Sequence, residues 1–179
     1  DPLSLARSRL AYDELLANQL ALALVRRTLH KRPGRQTEGD GRLRQKVLQS
    51  LPWPLTGAQH RSLEEIAADM AEPHRMLRLL QGDVGSGKTI VAMLAMLNAV
   101  EEGRQAVLMA PTEILARQHF QTLKPMAEAA GVRMEVLTGR GKGKQREALL
   151  DDLDRGDIDI LVGTHAVFQD AVAFHDLAF

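Results

Sequence analysis

The chain has no cysteine, which excludes a disulfide framework and a thiolate metal site and fits a reducing cytoplasm. It also lacks a net charge, because 23 basic and 23 acidic side chains cancel. Without an overall cationic field, any hold on nucleic acid comes from a local cluster of lysine and arginine, since phosphate contacts supply most of that affinity. Aromatic residues make up only 3% of the chain. Base stacking on exposed rings, the device of sequence-tolerant single-strand binders, therefore has few side chains to draw on. No apolar run approaches the roughly 18–20 residues that span a bilayer, and the amino-terminal stretch does not read as a signal peptide, so no membrane partner is expected. Internal repeats and low-complexity tracts are missing as well. A length of 179 residues suits one well-buried α/β domain with an appendage and is short for two.

What is present is a phosphate-binding loop. Gly82-Asp83-Val84-Gly85-Ser86-Gly87-Lys88-Thr89 matches G-x-x-x-x-G-K-[ST] throughout. Glycines at these positions let the backbone curl so that successive N–H groups point inward at a phosphate, where the following helix presents the positive end of its dipole. The ammonium of Lys88 is placed to reach the β- and γ-phosphates, and the hydroxyl of Thr89 to be a ligand of Mg²⁺. The flanks agree: Met76-Leu77-Arg78-Leu79-Leu80 reads as a buried strand and Ile90 to Val100 as an apolar helix. The cofactors expected are ATP and Mg²⁺.

Around this motif the chain divides. Leu3 to about His30 reads as one long helix, on the order of 40 Å at the usual rise, with Ser4 as its cap and an apolar stretch Leu20–Val25 that is expected to pack against the main body. Residues 31–41 hold Pro33, Gly34, Gly39 and Gly41 among charges and read as a mobile loop. A short helix, Leu43 to Ser50, leads into Pro52-Trp53-Pro54, whose prolines force an extended path, and another helix starts near Gly57. From Met76 onward strands and helices alternate: strand Ala106–Ala110, helix Glu113–Ala129, strand Arg133–Leu137, helix Gln145–Asp154, strand Ile158–Val162. Such alternation implies an α/β fold with a parallel sheet. The boundary falls between a helical segment at 1–54 and a nucleotide-binding domain at 55–179.

Ligands of parallel sheets collect at the carboxyl ends of the strands. After the second strand come Pro111, Thr112 and Glu113, where the proline ends the strand and the threonine caps a helix, a complete structural account without function. After the third comes Thr138-Gly139-Arg140-Gly141-Lys142-Gly143-Lys144, either a solvated turn or a cationic phosphate contact. After the fourth come Gly163-Thr164-His165-Ala166, with a histidine that is more often structural than catalytic on such a loop.

In order, Leu55-Thr56-Gly57-Ala58-Gln59, the segment Arg78–Thr89, Met109–His119, Leu137-Thr138-Gly139 and Val162–Ala166 resemble the successive motifs of superfamily 2 helicases. Within that family the likeness is to bacterial ATP-dependent translocases of branched DNA, with the transcription-repair coupling translocases a near alternative and the primosomal helicase a more distant one. The likeness extends to Arg9-Leu10-Ala11-Tyr12-Asp13-Glu14-Leu15-Leu16, similar to those proteins' link between wedge domain and motor. It implies a RecA-like P-loop lobe and a cytoplasmic enzyme acting on forks and Holliday junctions in recombination and repair. Gln59 would read adenine, and Gly82, Asp83, Val84, Gly85, Ser86, Gly87, Lys88 and Thr89 would bind the nucleotide, with Lys88 and Thr89 serving catalysis. Pro111, Thr112, Glu113, Thr138, Gly139, Arg140, Thr164 and His165 would lie along the DNA-contacting edge.

One requirement of hydrolysis is missing. An acidic pair is needed at the end of a strand beside the P-loop strand, and none qualifies: Asp157 and Asp159 flank the wrong end of a strand, Asp151 and Asp152 follow a helix, and Glu101 and Glu102 close the P-loop helix. In the resembling family a strand ending in Asp-Glu-Gln-His follows the Gly-Thr-His-Ala motif, and Phe179 falls just short of it. The chain is expected to be a first motor lobe cut before its hydrolytic carboxylates; the other reading is a complete nucleotide-dependent binding module.

Overall fold

In a computed structural model, residues 2–30, 33–139 and 143–179 are described. Three short parallel strands form the sheet in the order β1-β3-β2, where β1 is Ala106–Met109, β2 Met134–Leu137 and β3 Ile160–Gly163. Their register aligns Met109, Gly163 and Leu137, so all three strands end at one level. Helix α5 (Glu113–Ala130) connects β1 to β2, and α6 (Lys144–Asp154) connects β2 to β3. Side chains alternate across the central strand as the pleat requires. Ile160 and Val162 join the main core, whereas Leu161 joins Leu137, Leu153, Ile158 and Val167 in a second cluster.

The main core is built around α4 (Lys88–Val100), which is buried at almost every position from Ile90 onward. A helix apolar on all sides has to be enclosed. Helices α2 (Arg42–Ser50), α3 (Gly57–Ala71) and α5 and strand β1 supply the enclosure.

The expected strand Met76–Leu80 is not formed. The segment runs without assigned secondary structure, with Met76 and Leu80 half-buried against the core and Leu79 83% exposed. Ladder hydrogen bonds make a strand, and this stretch has no neighbour to supply them. The free edge of β1 is taken instead by the last residues: Gln105 bridges Leu177 in parallel, and Val107 donates its N–H to the Phe179 carbonyl at 2.8 Å. A cavity of about 720 Å³ separates Leu177–Phe179 from Met76. Arg78 holds the segment down by hydrogen bonds to Glu65 and Asp69 of α3, and those carboxylates raise its already high pKa.

Helix α1 (Pro2–His30) forms as expected, but Leu20–Val25 does not pack into the body. Leu20 is 55% exposed, and Leu22 and Val25 only line one wall of an open cavity of about 870 Å³ facing His74–Leu79. Glycine is absent and proline stands only at its first position, so local propensity suffices for the helix without a packed face.

Residues 33–41 follow an irregular path but are fastened, contrary to the expectation of a mobile loop; Lys31 and Arg32 lie outside the described residues. Gly34 and Thr37 donate N–H groups to the carbonyls of Pro73 and Met70. Asn98 accepts from the Gly39 N–H at 3.0 Å and donates to the Thr37 carbonyl at 3.1 Å. The fully buried carboxylate of Glu101, just past α4, accepts from the backbone N–H groups of Gly41, Leu43 and Arg44 and from the Arg44 guanidinium. It thus caps α2, whose own N-cap is Gly41 and has no side chain for the purpose.

Charged hydrogen bonds of this kind contribute about 1.5–3 kcal/mol each, and a stranded partner costs more than the bond is worth. Glu101→Ala is expected to lower unfolding free energy by about 3 kcal/mol and Glu101→Gln by about half that. Urea denaturation checks this; equal stability of Glu101→Ala and wild type would show that α2 holds without its cap.

Candidate nucleotide-binding loop and sheet edge

The loop curls where the motif needs it to. Gly85 and Gly87 have φ of 84° and 80°, and α4 starts at Lys88 directly after them. In this left-handed region a side chain is strained. Gly87 is confined further, since a Cβ there would lie 2.3 Å from the amide nitrogen of Gln59. Residues Gly82–Ser86 are exposed, and Gly87, Lys88 and Thr89 are half-buried. The Ile90 and Val91 N–H groups donate to the Gly87 carbonyl, so the N–H groups of Lys88 and Thr89 are the ones at this helix start that can serve an anion.

Two side chains hold this loop. Lys88 Nζ donates to the carbonyls of Gly82 and Asp83, each at 2.7 Å. Gln59 stands in the first turn of α3, where Thr56 and Gln59 form a reciprocal capping box. Its Oε1 accepts from the Thr56 N–H at 2.8 Å, and its Nε2 donates to the Ser86 carbonyl at 3.0 Å. The amide expected to read adenine is thus engaged at both ends, one with its own helix cap and one with the phosphate loop.

At the carboxyl edge of the sheet the three loops lie in strand order. Thr112 accepts from the Leu115 N–H at 3.3 Å and caps α5. Thr138, after β2, is buried and its Oγ1 accepts from the Arg117 guanidinium at 3.3 Å. Thr164, after β3, is buried and accepts from the Ala166 N–H at 3.5 Å, capping a single 3-10 turn, His165–Phe168. Pro111, Thr112, Gly139 and His165 are exposed and Glu113 is half-buried beside Gly139. Arg140 lies outside the described residues.

The fold brings Pro111–Glu113, Thr138-Gly139 and Thr164-His165 onto one edge, and Gln59 onto the P-loop. The engagement of Arg117 with Thr138 and of Gln59 with Ser86 was not anticipated. The only sign of the first in the sequence is Arg117 standing one turn after Glu113 on α5, and of the second the spacing of the capping box.

The acidic residues weighed for hydrolysis all sit elsewhere. Glu101 is the cap of α2, and Glu102 accepts from the Glu38 N–H at 2.5 Å. Asp152 and Asp159 lie with Arg133 at the amino ends of the strands, where the hydrogen bond from Arg133 holds the Asp152 carboxyl below its ordinary value and burial pushes that of Asp159 up. Among the described residues no group of three or more acidic or histidine side chains is arranged to hold a metal ion, and no helix is long and apolar enough to cross a membrane.

Residues 56–179 match the DEAD/DEAH box helicase family. The chain belongs to that family. It is 48% identical to the ATP-dependent DNA helicase RecG of Bacillus subtilis over 99% of its own length and 26% of that protein's. Against RecG of Escherichia coli K12 it is 43% identical over 97% of the chain and 25% of that protein. A solved structure of RecG bound to a three-way DNA junction superposes with a TM-score of 0.82 at 42% identity, covering 96% of this chain and 24% of that one. The chain therefore spans about a quarter of the length of these relatives. The fold is the α/β, RecA-like lobe of this helicase family.

The Gln59 bridge predicts a measurable looseness when it is cut. Gln59→Ala is expected to speed hydrogen exchange at the Gly85–Thr89 amides of the nucleotide-free chain and to cost about 1 kcal/mol of stability through the lost cap. Unchanged exchange at those amides would mean that Gln59 does not restrain the loop.

Proposed function

We propose that this chain is the nucleotide-binding part of an ATP-dependent helicase that translocates on branched DNA, such as forks and Holliday junctions, in recombination and repair. The observation that carries the reading is a complete phosphate loop opening a buried helix within a fold that superposes on part of RecG, a protein solved on a three-way DNA junction. Residues 55–179 are the first RecA-like motor lobe and residues 1–54 the helical linker leading into it. The absence of cysteine and the DNA substrate fit a cytoplasmic setting.

Residues of the loop then take their roles from geometry. The backbone N–H groups from Gly82 to Thr89 and the start of α4 receive the phosphates. Lys88 transfers its ammonium from the carbonyls of Gly82 and Asp83 toward phosphate oxygens, exchanging neutral acceptors for charged ones. The Thr89 hydroxyl, on the first turn of α4, fits a Mg²⁺ ligand. Were Mg²⁺ to enter with the nucleotide, Thr89 would help hold it and it would offset phosphate charge. Gln59 reads adenine by turning its amide from Ser86 to the base edge. Pro111, Thr112, Glu113, Thr138, Gly139, Arg140, Thr164 and His165 form the DNA-contacting edge, with Thr112, Thr138 and Thr164 also fixing its shape.

Electrostatic stabilisation of the transferring phosphoryl group needs an acidic pair at a strand end beside the loop, and none stands there among the described residues, so the chain alone is expected to hydrolyse ATP negligibly. In the longer motor that carries it, forked DNA is expected to stimulate steady-state ATPase strongly, and Lys88→Ala to abolish the stimulation. Equal stimulation by any linear duplex would remove the branched-DNA assignment and favour a general duplex translocase. Gln59→Ala is expected to relax the preference for ATP over GTP; equal loss of both nucleotides in a binding titration would contradict the adenine role.

A further inference from the structure

Phe168 closes the 3-10 turn that follows β3, one turn from Thr164 and His165, and is 69% exposed. Its exposure is imposed by the backbone. Ala166 and Val167 on the same turn are buried, the Val167 N–H donates to the Thr164 carbonyl at 3.0 Å, and the Val172 N–H donates to the Gln169 carbonyl at 2.8 Å. A single exposed apolar side chain is ordinary on any surface. What distinguishes this one is its neighbour: Arg146, on the first turn of α6, donates from Nη2 to the Gln169 side-chain oxygen at 2.9 Å.

The acceptor's neutrality is what matters. Arg44, Arg78, Arg104, Arg133 and Arg155 are all held by carboxylates, which neutralise them. Arg146 is held by an amide, which fixes the guanidinium in place and leaves its charge and four of its five N–H groups for another partner. An exposed ring, next in the chain to the amide that positions a guanidinium unpaired with any carboxylate among the described residues, matches the two faces of a nucleotide, an apolar base and a phosphate.

We propose that Phe168 and Arg146 form a subsite for one nucleotide of an unpaired DNA strand, the ring stacking on the base and the guanidinium holding the adjacent phosphate. This rests on the reading of the sheet's carboxyl edge as a DNA-contacting surface and extends that edge past His165 onto α6. An unpaired strand is required, because a ring reaches the face of a base only where that base is not stacked within a duplex.

Fluorescence anisotropy of this chain with a labelled single strand and a blunt duplex, across about 50–200 mM salt, tests it. Phe168→Ala is expected to weaken single-strand binding by about 5- to 100-fold with the salt dependence unchanged, and Phe168→Trp to retain it. Arg146→Gln is expected to lower the slope of log affinity against log salt by about 0.7, the value for one phosphate of a single strand. Phe168→Leu keeps an apolar surface without a stacking ring, so it should behave as Phe168→Ala does. Wild-type affinity in Phe168→Ala or in Phe168→Leu, or an equal loss on the blunt duplex, overturns the subsite and leaves the DNA edge standing. Failure of the wild-type chain to bind any DNA removes both.

Discussion

The carboxylate of Glu101 fixes how residues 39–44 meet the buried helix α4. It sits at the end of α4 and at the start of α2, accepting three backbone N–H groups and a guanidinium while wholly buried. A buried charge without such partners would be costly, so the path of residues 39–44 and the end of α4 are specified together. Asn98, one turn earlier, repeats the arrangement with neutral groups at Gly39 and Thr37. Because α4 also begins at Lys88, one buried helix joins the glycine-containing loop at its first turn to α2 at its last.

The other end of α4 is held by bonds that a nucleotide, on the proposed reading, displaces. Lys88 donates to two loop carbonyls, and Gln59 spans from the cap of α3 to Ser86. These contacts fasten an exposed loop in which three of eight residues are glycine. Their replacement is chemically favourable for Lys88, which gains charged acceptors, and closer to neutral for Gln59, which trades one carbonyl for a base edge. On the proposed nucleotide reading, phosphate rather than base dominates the affinity, with the base acting on selectivity.

Much of this was legible beforehand, for reasons that separate cleanly. The phosphate loop could be read because its residues act locally, through glycine backbone freedom and the start of a helix, and the three strands and their helices could be read because apolar periodicity reports burial. Met76–Leu80 has the same apolar character as those strands yet forms none, since pairing depends on a neighbour that the segment's own residues do not encode. Leu20–Val25 failed in the same way: apolar composition marks a need for cover and does not name what provides it. Charge misled at residues 33–41, where glycines and charged side chains suggested freedom, but the backbone N–H groups of Glu38, Gly39 and Gly41 donate to Glu102, Asn98 and Glu101, some sixty positions away.

The carboxyl edge shows why residue roles there were only half readable. Thr112, Thr138 and Thr164 are each engaged in holding a turn, a helix start or a neighbouring side chain. Two of the three are buried, so their side chains shape the edge from behind while contact with a ligand falls to the exposed backbone and side chains around them. A motif residue can then be required at a binding edge without touching what binds. Arg117 illustrates the coupling, because its hydrogen bond to Thr138 ties the helix after β1 to the loop after β2, and a phosphate drawing that guanidinium outward would loosen the junction between two loops. Stability at this edge rests on these side chains, and on the proposed reading recognition draws on the same ones.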